Sequence, residues 1–205
     1  MKNILLALCL ILPACRTQSP LPDTPGVLFI RQQICDLADF KTRFFTRANH
    51  LPDRGFQAYR IYRDPQNPQF YLLVFTCGDL GKAAGFIPSS NFSLACVGAG
   101  LGAGDLWAGL PEAGSPPDNV TGREGLALAM IQAEEEGAWK HRDGQGAWRS
   151  ETWYRLPARP RKVLVARAVV DMNRARDLME PRDTPGAARS EVWFGTFLEG
   201  GTLNP

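Results

Sequence analysis

The chain has 205 residues, 44% hydrophobic and 21% charged, which suits one large domain or two small ones sharing a core. Collagen-like, disordered and multi-span membrane classes are excluded by that composition. Lys and Arg number 23 against 21 Asp and Glu, a net charge of +2 too balanced for a nucleic-acid-binding surface, and two His without repeated Cys-x-x-Cys leave no zinc framework.

The chain opens with Met1-Lys2-Asn3, an apolar run over 4–12, and Pro13-Ala14-Cys15. The run is too short to span a bilayer as a helix, so the pattern predicts a signal peptide over 1–14. Leu12-Pro13-Ala14-Cys15 resembles the lipobox of bacterial lipoproteins, although Pro13 departs from its commonest form. That resemblance implies cleavage before Cys15 and lipidation of its thiol, and several acyl chains there would give lasting anchorage. The Pro-rich remainder of 15–26 then acts as a stiff tether. The expectation is a cell-envelope, periplasm-facing lipoprotein, in the outer rather than the inner membrane; a plain signal peptide is the alternative. Cys35, Cys77 and Cys96 remain in the body, which permits one intrachain bridge or buried thiols.

Beyond the tether, residues 27–34 are β-rich and 36–50 have helical spacing, with Leu37, Phe40, Phe44 and Ala48 on one side. Residues 57–63 and 70–77 form strands joined at Asp64-Pro65-Gln66-Asn67-Pro68. Asp79 caps a helix that breaks at Pro88, and 105–110 supply a closing strand. The second half repeats the plan: strand 126–133, short helix 134–142, hairpin 149–155 and 162–170, helix 171–179, strand 191–198.

The two hairpin-plus-helix segments align without gaps, YRDPQNPQFYLLVFTCGDLGKAAGFI against YRLPARPRKVLVARAVVDMNRARDLM. Tyr62 matches Tyr154, Pro65 matches Pro157 and Asp79 matches Asp171; upstream Gln33 matches Gln132, and downstream Trp107-Ala108-Gly109 matches Trp193-Phe194-Gly195. Matches in register of this kind mean duplication of one βαββαβ unit. The expected organisation is a first unit over 27–110, a linker over 111–121 and a second unit over 122–205.

The first unit also resembles the dimeric α/β-barrel (ferredoxin-like) superfamily. The likeness rests on the first strand ending at Asp36, Phe40-Lys41, the Tyr62-Arg63-Asp64-Pro65-x-Asn67-Pro68 hairpin, Asp79-Leu80, and Ala95 to Gly100 before the last strand. In that family two sheets close into a barrel whose lumen holds a small ligand. The resemblance therefore implies an α+β fold in which two tandem ferredoxin-like units pack sheet to sheet as a single-chain barrel, with no oligomer needed for closure.

Strand parity nominates the lumen lining. Leu28, Ile30 and Ile34 are expected to face the helices, leaving Arg31 and Gln33, with Gln132 in the repeat, facing inward. On the third strand of each unit, Leu72, Val74, Leu164 and Ala166 are expected to face the helices and Tyr71 and Arg167 the lumen. Two cations in a half-apolar pocket suit a carboxylate or enolate. The alternative is that Arg31 and Arg167 are satisfied by acidic partners or lie at the rim. Tyr62, Tyr154, Trp107 and Trp193 read as packing residues, and His50 as a helix C-terminal residue on the dipole. No cofactor is expected; haem would need His141, which reads as a surface residue. The function expected is a lipid-anchored barrel binding a small amphipathic or anionic ligand. The alternatives are a cofactor-independent monooxygenase or cyclase of the kind found among relatives, and a structural part of the envelope.

Overall fold

The computed structural model describes residues 21, 23–87, 104–112, 124–136, 146–179 and 191–203. The expectations for the signal peptide, Cys15, Cys96, His141, the helix restart after Pro88 and residues 113–121 of the linker lie outside that set. The first half contains β1 (Gly26–Gln33), α1 (Leu37–Phe44), β2 (Phe56–Arg63), β3 (Phe70–Cys77), α2 (Leu80–Phe86) and β4 (Gly104–Pro111). The second contains β5 (Gly125–Gln132), β6 (Trp148–Arg155), β7 (Lys162–Val169), α3 (Met172–Met179) and β8 (Glu191–Thr202). No helix among the described residues is long and apolar enough to cross a membrane.

The strands close into a barrel in the order β1-β3-β2-β8-β5-β7-β6-β4. Each half supplies the same run, β4-β1-β3-β2 and β8-β5-β7-β6, and the seams are β2–β8 and β4–β6. Every neighbour is antiparallel. Alternating direction around the ring makes β1 and β5 run the same way, so Gln33 and Gln132 end at one mouth. Gly26, where the chain enters β1, lies at the opposite end of that strand.

A sheet covered on both faces must be apolar on both parities. In β1, Leu28 and Ile30 pack outward with Phe40, Phe44 and Phe75 under the helices. Phe29 points the other way and joins Val74, Leu128 and Leu164 inside the barrel. The helical layer of the second half packs Ala127, Ala129, Val163 and Val165 against Ala175 and Met179.

The helices form where the spacing predicts, with one difference in length. Asp36 caps α1 by accepting from the Asp39 N–H at 2.9 Å, and Phe40 and Phe44 bury completely, each contributing roughly 2 kcal/mol. The helix stops at Phe44 instead of reaching His50. The Asn49 amide donates to the carbonyls of Phe44 (2.7 Å) and Arg43 (3.0 Å), taking acceptors that a further turn would use. His50 lies beyond that end at φ 45° and sits 3.8 Å from Asp53, so it has no place on the α1 dipole. Asp79 and Asp171 cap α2 and α3 through the Lys82 and Arg174 N–H groups at 2.9 and 3.0 Å, the shared capping role their repetition predicts. The described part of 134–142 begins as a 3-10 turn, Ala133–Glu135.

The seams explain the tyrosine and the glycine that recur in both halves. A Cβ on Gly195 would come within 2.6 Å of the Tyr62 Cβ, and one on Gly109 within 2.9 Å of the Tyr154 Cβ. Each Trp-x-Gly strand thus receives the tyrosine of the other half at the point where the sheets join. Arg155 fastens the β4–β6 seam, with Nη2 at 2.6 Å from Glu112 and 2.8 Å from Glu136.

Candidate functional site in the barrel lumen

The lumen is aromatic and its contacts cross between the halves. Phe29 meets Tyr154 edge-on at 5.1 Å, and Tyr62 meets Phe197 at 5.8 Å. Trp107 and Trp193 project from β4 and β8, which lie diametrically opposite in the ring, and their rings are 4.6 Å apart. The Trp107 indole is 3% exposed, and its Nε1–H has no hydrogen-bond partner among the described residues. A buried donor left unmatched costs about 1–3 kcal/mol, which singles this N–H out among the lumen groups.

The mouth is polar. Arg31 lies opposite Asp105 and Leu72, one pleat repeat from Phe29 and Trp107. Its guanidinium stacks 4.3 Å from the Phe70 ring centroid and is 3.9 Å from Asp105. Gln33 is on the same face and donates to the Gln69 side chain at 3.0 Å. In the other half Gln132 lies opposite Lys162, and Lys162 is 3.6 Å from Glu191. Each half therefore brings a glutamine, a cation and a carboxylate to one rim.

Arg31, Gln33 and Gln132 thus lie on the lumen face at its mouth, whereas Tyr71 and Arg167 do not share it. Tyr71 packs in the helical layer with Leu73 and Phe75, while Leu72 and Val74 point inward. The second half follows suit: Leu164 and Ala166 are in the lumen, and Val163 and Val165 are outside it. The parity expected for β3 and β7 is therefore inverted. Arg167 is fully buried outside the lumen, its Nε donating to Glu151 at 2.6 Å and its guanidinium 4.1 Å from the Trp148 ring. The Trp153 indole donates to the other Glu151 oxygen at 2.5 Å. This is the acidic-partner alternative, and it removes Arg167 from the lumen.

Sequence reasoning missed Trp107 as a donor, Asp105 and Glu191 as mouth carboxylates, and Thr152, which is 5% exposed and lies opposite Ala166 on the lumen face. The repetition of Trp107 and Trp193 was the available signal, but it fits packing equally well. A separate groove of about 480 Å³ lies outside the barrel, lined by Phe45, His50, Leu51, Asp53 and Leu203 among others. Cys77 is buried, and burial pushes its thiol up to about 12, so it is no nucleophile.

No protein-family model and no curated protein matches the chain. Solved structures do. A candidate monooxygenase from Fusobacterium nucleatum superposes with a TM-score of 0.54 at 8% identity, covering 89% of this chain and 96% of its own. An anthrone oxidase-like protein gives 0.51 at 10% identity, covering 86% and 93%. A heme-binding protein from Thermus thermophilus gives 0.50 at 13% identity, covering 87% and 95%. The fold is the dimeric α/β barrel, on one chain. Identities this low establish the α/β barrel and leave its chemistry to the residues present.

Among the described residues no histidine is placed in the lumen to hold haem. An axial ligand needs a histidine or similar donor aimed into the lumen. Among the described residues, His50 is outside the barrel, and Met130, the lumen thioether, lies 3.5 Å from the Arg159 guanidinium. His141 lies outside the described residues.

Proposed function

We propose that this barrel is a cofactor-independent oxygenase whose substrate is a flat aromatic molecule bearing a ring oxygen. One observation carries the reading: a buried, unmatched indole N–H in an aromatic lumen. The similarity to proteins described as a candidate monooxygenase and as anthrone oxidase-like supports it. A methylene flanked by aromatic rings and conjugated to a carbonyl loses a proton, and the charge moves to the carbonyl oxygen. The Trp107 N–H is placed to stabilise that oxyanion. The carbanion gives its electrons to dioxygen, a C–O bond forms, and the hydroperoxide loses water. In net terms, the methylene and one molecule of dioxygen become a ketone carbonyl and one molecule of water. Asp105 and Glu191 at the mouth are the described carboxylates on the lumen face available to relay the proton.

Anthrone with dissolved dioxygen is the test. Uptake of one dioxygen per ketone formed is expected, and Trp107→Phe should lower kcat by about 10²-fold. Binding without uptake would replace the enzyme with a lumen-binding protein, and neither binding nor uptake would leave a structural barrel.

The proposed location is the cell envelope, through lipid on Cys15. The Leu12-Pro13-Ala14-Cys15 pattern supports it. The Thr24 carbonyl accepts from the Leu80 N–H at 2.9 Å, so the tether meets the barrel beside α2, at the end away from the Gln33 mouth. Fatty-acid labelling in a bacterial host should mark the wild type and fail on Cys15→Ser; an unlabelled wild type would refute the anchor.

A further inference from the structure

We infer that Arg31 is the specificity residue of the lumen and that it takes an anionic substituent, a carboxylate or phenolate, on the aromatic ligand. The inference rests on the lumen-binding reading above and names the substrate class more narrowly. Three observations carry it. The guanidinium lies on the lumen face one pleat repeat above the tryptophan pair, with a quarter of its side chain exposed. It lies over the Phe70 ring at 4.3 Å, yet it donates no hydrogen bond to any described residue, because Asp105 stands at 3.9 Å. Last, the equivalent position of the second half carries Met130, opposite Glu191 as Arg31 is opposite Asp105. The fold closes with a thioether there, so a cation is not what the strand pairing requires.

A planar guanidinium whose donors are unused matches the two oxygens of a carboxylate. Phe70 holds the guanidinium over its ring without occupying those donors, which lowers the ordering needed on binding. A ligand whose rings lie among Trp107, Trp193 and Phe29 then presents its charged group at the mouth. Asp105 is half exposed and competes with the ligand for the same cation.

The test compares anthracene-2-carboxylate with its methyl ester, titrated into the full chain and followed by ligand fluorescence. The acid should bind about tenfold more tightly than the ester, and added salt should narrow the gap. Arg31→Met, which installs the residue of the equivalent position, should collapse the acid-to-ester ratio to near one. Asp105→Asn should widen the ratio, an effect that a purely structural Arg31–Asp105 pair does not produce. Equal affinity of the wild type for acid and ester, or a preference surviving Arg31→Met, would overturn the inference while leaving the oxygenase reading intact. Acid preference here with no dioxygen uptake in the anthrone assay would uphold it and remove the oxygenase. Binding of neither compound would overturn the inference, with the oxygenase reading then decided by the anthrone assay alone.

Discussion

Arg167 carries its charge with no exposed side-chain surface, and Glu151 meets it at 2.6 Å. Breaking one side of such a pair leaves the other uncompensated, so Arg167→Met should lower unfolding stability by about 3 kcal/mol in urea titrations. Adding Glu151→Leu should return part of that loss, and a double variant as weak as the sum of its parts would argue against coupling. The sequence alone misplaces Arg167 for a physical reason. On β7 both parities are apolar, Val163 and Val165 against Leu164 and Ala166, so the arginine looked like the polar member of a wet face. Only the cross-strand register that sets Glu151 opposite it decides the side, and that register shifts between Trp148 and Ser150. Cys77 makes a second residue-scale prediction. Burial raises its thiol from 9.0 to about 12, so the unfolded chain releases this proton first. Its contribution is complete below pH 9 and is lost as pH rises through 12, with a slope of at most about 1.4 kcal/mol per pH unit. Cys77→Ala should flatten the fall in urea midpoint over that window; an unchanged slope would contradict the assignment.

At the scale of elements, caps and turns were the most legible features. Asp36, Asp79 and Asp171 cap helices where their spacing predicts, and Asp64 accepts from the Gln66 and Asn67 N–H groups at 2.8 and 3.1 Å to turn the first hairpin. Helix length was less legible, since the apolar spacing to Ala48 continues past the point where Asn49 ends α1. The seam strands were underestimated as well: β8 runs on to Thr202 because its last residues pair with Ala58–Ile61, a contact that exists only once the halves meet. Gly109→Ala and Gly195→Ala should each lose about 1–3 kcal/mol by driving a methyl into the partner tyrosine. Gly85→Ala, within α2 and with nothing within 4 Å of the added methyl, should gain up to about 1 kcal/mol. Equal effects at the three sites, read as thermal midpoints, would mean that the seams tolerate bulk.

For the whole molecule, the tandem repeat made the architecture readable, because two like sheets with apolar inner faces can satisfy both by closing on one another. The lumen's chemistry was less readable, since a core tryptophan and a ligand donor have the same residue type and differ only in what their N–H meets. The central claim is that a ligand oxygen meets the Trp107 indole. The most direct measurement is the indole N–H spectrum of ¹⁵N-labelled protein during titration with anthrone under argon. The Trp107 signal should move downfield and exchange more slowly with solvent, while those of Trp148 and Trp153, outside the lumen, stay put. An unmoved Trp107 resonance, or shifts confined to the groove around His50 and Leu203, would contradict the account.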